Sequence, residues 1–458
     1  MYKINLKDPS AHIHFIGIGG ISMSGLAELL LDRGFSVSGS DRSASELTEH
    51  LEALGAKIAY GQKKENISPD ITAVVMTAAI SESNPELMRA RELGLPVITR
   101  AQLLGQVMQS YEMPVAIAGT HGKTTTTSML SEVMLLAGLD PTLSIGGILP
   151  SIGGNFKIGG DKYFVTEACE YTNSYHSFFP KAEIILNIDA DHLDFFKDLS
   201  DIRRSFSHFT TLLPEDGLLV INGDMENARE IYEDCRGLVI TFGLSEECNY
   251  SAADIEFDEM ARPSFTLLKD KKPCGRYKLG VTGIHNVSNA LSVIALCDRL
   301  QIDEAMVRRA LESFTGTNRR FEKKGSFNGV TVIDDYAHHP TEIAATLKAA
   351  HAYPHKKLWC IFQPHTYSRT KALLPEFAEA LSLADACILA DIYAARETDT
   401  LGMSSALLSD LISQKGTESH YFGDFREIEE FCKKNCSTGD VLITMGAGDV
   451  YKIGENLI

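Results

Sequence analysis

No run of about 18 apolar residues occurs in the 458-residue sequence, so no segment is expected to cross a membrane as a helix. The first residues, MYKINLKDPSAHIHF, lack the basic start and apolar stretch of a signal peptide, and a cytoplasmic protein is expected. Positive charge is scarce: 43 lysines and arginines stand against 61 aspartates and glutamates, a formal net charge of −18. A grip on nucleic acid or anionic lipid needs a basic surface, so neither nucleic-acid binding nor membrane insertion is expected. The nine cysteines are an odd number without a CxxC pair or a framework spacing, and they read as reduced thiols. Low-complexity tracts and solenoid-length repeats are missing as well.

What is present is a long chain that alternates strands with helical stretches. Its length exceeds the size at which one hydrophobic core stops growing, and three domains are expected: 1–108, 109–317 and 318–458. In the first, short strands such as FSVSGS and AVVMTAA alternate with glycine turns and helices, which predicts a small parallel α/β unit. The second opens on the strand MPVAIAG and the helical stretch TTSMLSEVMLLAG, then passes an irregular, strand-rich segment near 250–280. In the third, the strands VTVIDD, KLWCIF, ACILAD and DVLITMG alternate with helices, the signature of a doubly wound sheet.

Four segments carry candidate chemistry. In IAGTHGKTTTT, residues Gly119, Thr120, His121, Gly122, Lys123, Thr124 and Thr125 stand between a strand and a helix, where free N–H groups and the helix dipole favour phosphate. Two residues separate the glycines instead of the usual four, yet Lys123 is placed to reach terminal phosphates and Thr124 to hold Mg²⁺. In FIGIGGISMSG, Gly17 and Gly19 follow a strand, Ser22 replaces the third glycine of the dinucleotide fingerprint, and Asp41 stands where an acidic residue would meet a ribose. Taken alone, that segment suggests a nicotinamide-dependent oxidoreductase. Glu167 closes YFVTEA with Glu170 one helical turn beyond, and NIDADHLD offers Asp189, Asp191, His192 and Asp194; carboxylates near a phosphate loop suit Mg²⁺. Asp189 and Asp194 are read as a helix N-cap and a solvated turn. Finally, IDDYAHHPTE and FQPHTYSRTK put Asp335, Tyr336, His338, His365 and Arg369 at strand ends, where doubly wound sheets gather ligands.

These segments, with TEACE, GIHNVSNA, TNRRFE and GAGD in the same order, make the whole chain resemble the bacterial Mur ligase family. The resemblance implies a Rossmann-like UDP-sugar domain, a central P-loop-type ATPase domain and a Rossmann-like C-terminal domain. It implies an ATP-dependent ligase with Mg²⁺ as metal, joining L-alanine to UDP-N-acetylmuramate through an acyl phosphate. Gly17, Gly19, Gly20 and Asp41 would then hold UDP rather than a nicotinamide dinucleotide. Lys123 and Thr124 would serve ATP and metal, with Glu167 and His192 completing the metal sites. Asn286 and Asn289 would lie by the adenine, Arg320 on the phosphates and Asp335 by the ribose. Tyr336, His338 and Arg369 would face the amino acid, and His192 or His338 would take its proton. The chain departs from the family where Cys169, Tyr171 and Thr172 interrupt an acidic stretch, and where Thr366 replaces a frequent second arginine. A ligase that attaches a preformed peptide to the same sugar is the rival within the class.

Overall fold

The computed structural model describes residues 2–458 apart from Ala78, Arg396 and Thr400. Its strands form three sheets. The first contains β1 (His12–Ile16), β2 (Ser36–Asp41), β3 (Lys57–Tyr60), β4 (Ala73–Met76) and β5 (Val97–Thr99), all parallel in the order β3-β2-β1-β4-β5. The second runs from β6 (Met113–Ala118), β7 (Thr142–Leu149), β8 (Gly154–Lys157), β9 (Tyr163–Ala168) and β10 (Ala182–Ile185) through β11 (Leu218–Asn222) and β12 (Leu238–Phe242). The irregular segment near 250–280 resolves into β13 (Tyr250–Phe257), β14 (Pro263–Lys269) and β15 (Lys272–Lys278), an antiparallel edge of that sheet. Its order is β15-β14-β13-β12-β11-β10-β6-β9-β7-β8, so β6 lies inside, between β9 and β10.

The third sheet contains β16 (Glu322–Phe327), β17 (Val330–Asp335), β18 (Leu358–Phe362), β19 (Ala386–Leu389), β20 (Glu418–Tyr421) and β21 (Val441–Met445). Its order is β16-β17-β21-β18-β19-β20, parallel except for the pair β16–β17. A three-domain α/β architecture is thus observed. Parallel strands need crossovers, and helices supply them, which explains the near-continuous apolar strands AVVM (β4) and LWCIF (β18), and AEII (β10), apolar but for Glu183.

One apolar cluster spans the first two sheets, joining Ile13, Phe15 and Leu26 to Phe164, Tyr175 and Phe206. The close fit is visible at Gly105, where a Cβ would fall 1.8 Å from the carbonyl oxygen of Ser177. The glycine turn of the first sheet is therefore fixed against the sheet that carries the phosphate loop.

One buried group in this core has no partner. Glu183 on β10 lies between Ala116 and Leu219 in register, fully buried, with neither carboxyl oxygen hydrogen-bonded among the described residues. Burial drives its pKa well above the ordinary carboxyl range. Below its unfolded pKa of about 4.3 that shift costs no stability, whereas at higher pH the unfolded chain ionises first and the folded form loses ground. Glu183→Met is expected to raise the melting temperature, more at pH 8 than at pH 5. Calorimetry at both values checks this, and an equal gain at each would contradict a protonated Glu183.

Candidate active site

The loop after β6 is shaped by close approach. Gly119 has φ +143°, and a Cβ there would lie 2.9 Å from the Leu186 Cβ, so only glycine passes. The Thr120 N–H donates to the Asn187 carbonyl (3.1 Å) and the His121 N–H to Asn187 Oδ1 (2.7 Å), which ties the loop to the end of β10. Gly122, left-handed, is the N-cap of the helix Lys123–Leu136, so the first N–H groups of that helix face the loop. Lys123 folds back over it: Nζ donates to the carbonyls of Gly119 and Thr120 and lies 3.0 Å from Glu170 Oε2. Burial works against its charge, but Glu170 outweighs this and the pKa rises.

The carboxylates around Lys123 divide into two groups. Glu167 accepts from the Gly146 N–H at 2.5 Å and from the Thr124 hydroxyl, and burial raises its pKa against those bonds. Glu170 lies in the loop after β9 rather than on a helix, and its Oε1 is 3.9 Å from His192 Nε2. The structure thus pairs Thr124 with Glu167, and His192 with Glu170. An oxygen-rich set beside a phosphate loop fits a hard cation. His192 packs at a tilt against Tyr171 (ring centres 4.6 Å apart), whose hydroxyl donates to Asp194 (2.8 Å), in keeping with a turn there.

Asp189 is not an N-cap. The following helix, Leu199–Thr210, is capped by Asp198, and Asp189 instead joins the central domain to the C-terminal one. Its Oδ2 accepts from Thr341 Oγ1 (2.6 Å) and lies 3.3 Å from His121 Nε2, while His121 Nδ1 lies 3.3 Å from Glu342 Oε1. Burial disfavours charge on His121, yet the bonds to Asp189 and Glu342 outweigh it and lift its pKa to about 9. His121, Asp189 and His339 could in principle converge on a metal. Both nitrogens of His339 are engaged, however, Nε2 with the Ala190 carbonyl and Nδ1 with the Thr341 N–H, so the trio reads as an interdomain contact.

This contact has a pH signature. Because the folded pKa of His121 is raised, its contribution is complete below the unfolded value of about 6.5 and is lost as pH rises through about 9. His121→Asn is expected to remove that component of the fall in melting temperature between pH 6 and pH 10. Parallel melting curves that keep their separation across this range would refute it.

Two cavities flank the centre. One of about 730 Å³ is lined by His121, Gly122, Thr125, Asn286, Asn289, Arg320 and Asp335. Asn289 donates to Asn286 Oδ1 (3.0 Å), and Asn286 to the Thr282 carbonyl, so the two amides form one edge of the cavity. Burial raises the Asp335 pKa to about 6, against the pull of Arg320 and the N–H groups of Ala337 and Phe321. The other cavity, about 460 Å³, is lined by Tyr171, Asp191, His192, Asp194, His365, Thr366, Arg369 and Glu397. Residues 187–189 line the first and 190–194 the second, so a single strand-end segment forms the shared wall.

Tyr336 and His338 line neither cavity. Tyr336 packs beneath the guanidinium groups of Arg319 and Arg320, 4.9 and 5.1 Å from its ring centre. His338 is held at Tyr336 O (3.1 Å) and near Glu342, and burial lowers its pKa to about 4 against the Glu342 charge. In the first sheet, Gly17 and Ile18 donate to the Ser40 carbonyl (2.8 and 3.0 Å), Gly19 donates to Asp41 Oδ2 (2.8 Å), and Gly20 precedes the helix Ile21–Asp32. Asp41 closes the glycine turn itself. Asn187 and Glu342 went unassigned from sequence, although both stand inside quoted segments, NIDADHLD and DDYAHHPTE.

Three segments match known families: residues 12–112 the Mur ligase family, catalytic domain; 117–297 the Mur ligase middle domain; and 319–448 the Mur ligase, glutamate ligase domain. A UDP-N-acetylmuramate–L-alanine ligase of Lachnospira eligens is 58% identical over 459 residues, covering 100% of both chains. The chain belongs to the Mur ligase family. A second relative of the same description, from Agathobacter rectalis, is 54% identical to this Mur ligase over 100% of both chains. Among solved structures, the UDP-N-acetylmuramate-alanine ligase of Thermotoga maritima is 31% identical, with a TM-score of 0.81 over 97% of this chain and 98% of that one. A murein peptide ligase from Psychrobacter arcticus is 26% identical, with a TM-score of 0.71 over 98% of each.

Proposed function

We propose that this Mur ligase uses ATP to join L-alanine to the lactyl carboxylate of UDP-N-acetylmuramate, in the synthesis of peptidoglycan precursors. The observation that carries the reading is the shared wall at 187–194, which sets a nucleotide-sized cavity beside a smaller acceptor cavity, together with full-length identity to relatives of that description. Residues 1–108 are assigned to the UDP-sugar, 109–317 to ATP and 318–458 to the amino acid and nucleotide. Gly17, Gly19, Gly20 and Asp41 form the UDP turn; Asn286, Asn289, Arg320 and Asp335 hold the nucleoside and phosphates in the larger cavity. Cytoplasmic residence accords with nine cysteines that are all unpaired and with described helices too short or too polar to span a bilayer.

The carboxylate is a poor acyl donor because its leaving group would be oxide. An oxygen of the lactyl carboxylate attacks the terminal phosphorus of ATP, ADP departs, and an acyl phosphate remains. The alanine amine then attacks the acyl carbon, the tetrahedral oxyanion collapses, and phosphate leaves with the C–O bond electrons. Lys123 supplies charge to the transferred phosphoryl group and the oxyanion. Thr124 and Glu167 would hold Mg²⁺, with Glu170 and His192 nearby, and the ion when bound adds positive charge at the phosphate oxygens. His192 is the better base for the amine, since it lines the acceptor cavity and His338 does not. Arg369 takes the alanine carboxylate.

Mass analysis of the products from ATP, Mg²⁺, UDP-N-acetylmuramate and an equimolar mixture of alanine and a tripeptide tests the reading. Alanyl product with stoichiometric ADP is expected. Exclusive peptide transfer would convert the assignment to that of a peptide-recycling ligase.

A further inference from the structure

Two successive side chains, Glu170 and Tyr171, converge on one histidine. Glu170 Oε1 lies 3.9 Å from His192 Nε2, and the Tyr171 ring packs with its centre 4.6 Å from that of the imidazole, tilted by 31°. Neighbouring residues of a strand point to opposite faces, and those of a helix do not face a common partner, so regular structure does not give this convergence. A strained turn gives it instead. Thr172 and Asn173, directly after Tyr171, are both left-handed (φ +56° and +54°), a conformation rare for a β-branched residue. The turn is held by its own bonds: the Asn173 N–H donates to the Glu170 carbonyl (2.9 Å), Thr172 Oγ1 to the Tyr171 carbonyl (2.7 Å) and Ser174 Oγ to the Cys169 carbonyl (2.9 Å). His192 is itself left-handed (φ +54°), and its carbonyl accepts from the Phe195 and Phe196 N–H groups. Strain of this kind persists where the surrounding structure over-determines it, and it gathers at ligand sites.

What Tyr171 reaches is one wall of the acceptor cavity, residues 190–194. From the C-terminal domain, His339 ties the start of that wall at the Ala190 carbonyl (3.1 Å), and Arg369 ties Asp191 (3.0 Å). From the central domain, Tyr171 braces the other end. Its ring lies against His192, its hydroxyl donates to Asp194 (2.8 Å), and Phe195 meets the same ring edge-on at 6.1 Å. Asp191, which orients the Arg369 guanidinium, and His192 are therefore carried by a segment that this one side chain holds from behind.

Resting on the ligase reading above, we infer that Tyr171 is a positioning residue for the acceptor: it braces 190–194 so that an amino acid clamped by Arg369 presents its amine to the acyl phosphate in one orientation. Tyr171 does not line the nucleotide cavity, so its effect falls on the second half of the reaction and not on formation of the acyl phosphate.

The test separates the two halves with hydroxylamine, a nucleophile that has no carboxylate for Arg369 to orient. Its nitrogen bonds to the acyl carbon, the C–O bond to phosphate breaks, phosphate leaves with that electron pair and a nitrogen proton passes to solvent, giving a hydroxamate. In Tyr171→Ala, kcat/KM for alanine is expected to fall roughly 10- to 100-fold, the scale of a misplaced reacting group, while hydroxamate formation and the KM values for ATP and the UDP-sugar hold. Tyr171→Phe keeps the ring against His192 and should recover most of the loss. Asp194→Ala, at an exposed residue, removes the anchor of the hydroxyl and should show the same pattern at smaller size, so a poorly folded Tyr171→Ala does not leave the question open. Alanine and hydroxylamine turnover falling together in folded variants would show a purely structural role, and unchanged alanine kinetics would remove Tyr171 from the site; either result overturns the inference. If the unsubstituted enzyme gave no hydroxamate from ATP, Mg²⁺ and the UDP-sugar, the acyl-phosphate reading would itself fall, and this inference with it.

Discussion

Lys123→Ala is expected to lower turnover by roughly 10²-fold or more, the scale seen when one preorganised electrostatic donor is lost from a site. The ammonium sits where the phosphate loop, Glu170 and the mouth of the helix Lys123–Leu136 converge, with its side chain only 15% exposed. In the free enzyme its donors are spent on Glu170 and on the Gly119 and Thr120 carbonyls, which store the charge until phosphate arrives. Alanine removes that charge and leaves Glu170, 2% exposed, facing the substrate phosphates as an uncompensated anion. Both effects act on the same step, so kcat should fall more than the KM for alanine rises. The fold should persist, because the loop is also held by Asn187 and the glycine contacts. Steady-state kinetics with a melting curve decide the matter, and near-normal turnover in a folded variant would remove Lys123 from the chemistry.

The loop itself was legible because its determinants are local. A strand, a glycine with no room for a Cβ, a left-handed glycine and a helix start follow one another from Met113 to Lys123, and each leaves a residue-type trace. The doubly wound third sheet was legible for a similar reason: apolar strands of the VTVIDD and KLWCIF kind are buried on both faces and need no partner information to be seen. The edge strands β13 to β15 were blurred because only one face is covered and the register shifts twice, between Ala253 and Glu256 and between Thr266 and Leu268.

What sequence did not disclose lies between domains. Asp189 looks like a capping residue when only its own neighbours are considered, since an aspartate in a polar turn before a helix is a common cap. Its actual partners, Thr341 and His121, are 152 and 68 residues away, and their meeting depends on how the third sheet docks. The same holds for Glu342, which faces His121 from the C-terminal domain. Tyr336, which the resemblance would set facing the amino acid, has the guanidinium groups of Arg319 and Arg320 over its ring.

Arg369→Lys is expected to raise the KM for alanine about tenfold or more and to leave those for ATP and the UDP-sugar nearly unchanged. Arg369 is the one lysine or arginine among the described residues lining the acceptor cavity. Thr366 brings no charge to the site, and its hydroxyl accepts from the Arg369 N–H at 3.4 Å as the cap of the helix Tyr367–Ala372. The guanidinium gives Nε and Nη2 to a single oxygen of Asp191, at 3.1 and 3.0 Å, and turns Nη1 toward His365 Nδ1 at 3.4 Å. Asp191 thereby orients the fork without saturating it, and Nη1 and Nη2 keep hydrogens for a carboxylate. Lysine would retain a charge near Asp191 but offer no planar pair of donors, so alanine would lose its alignment while the nucleotide cavity, on the far side of 187–194, stays intact. If Arg369 served only to tie the C-terminal domain to Asp191, the substitution would loosen that docking instead. All three KM values would then worsen together and the melting temperature would fall. Varying each substrate in turn, with a melting curve alongside, separates the two outcomes, and an unchanged alanine KM would sink the clamp.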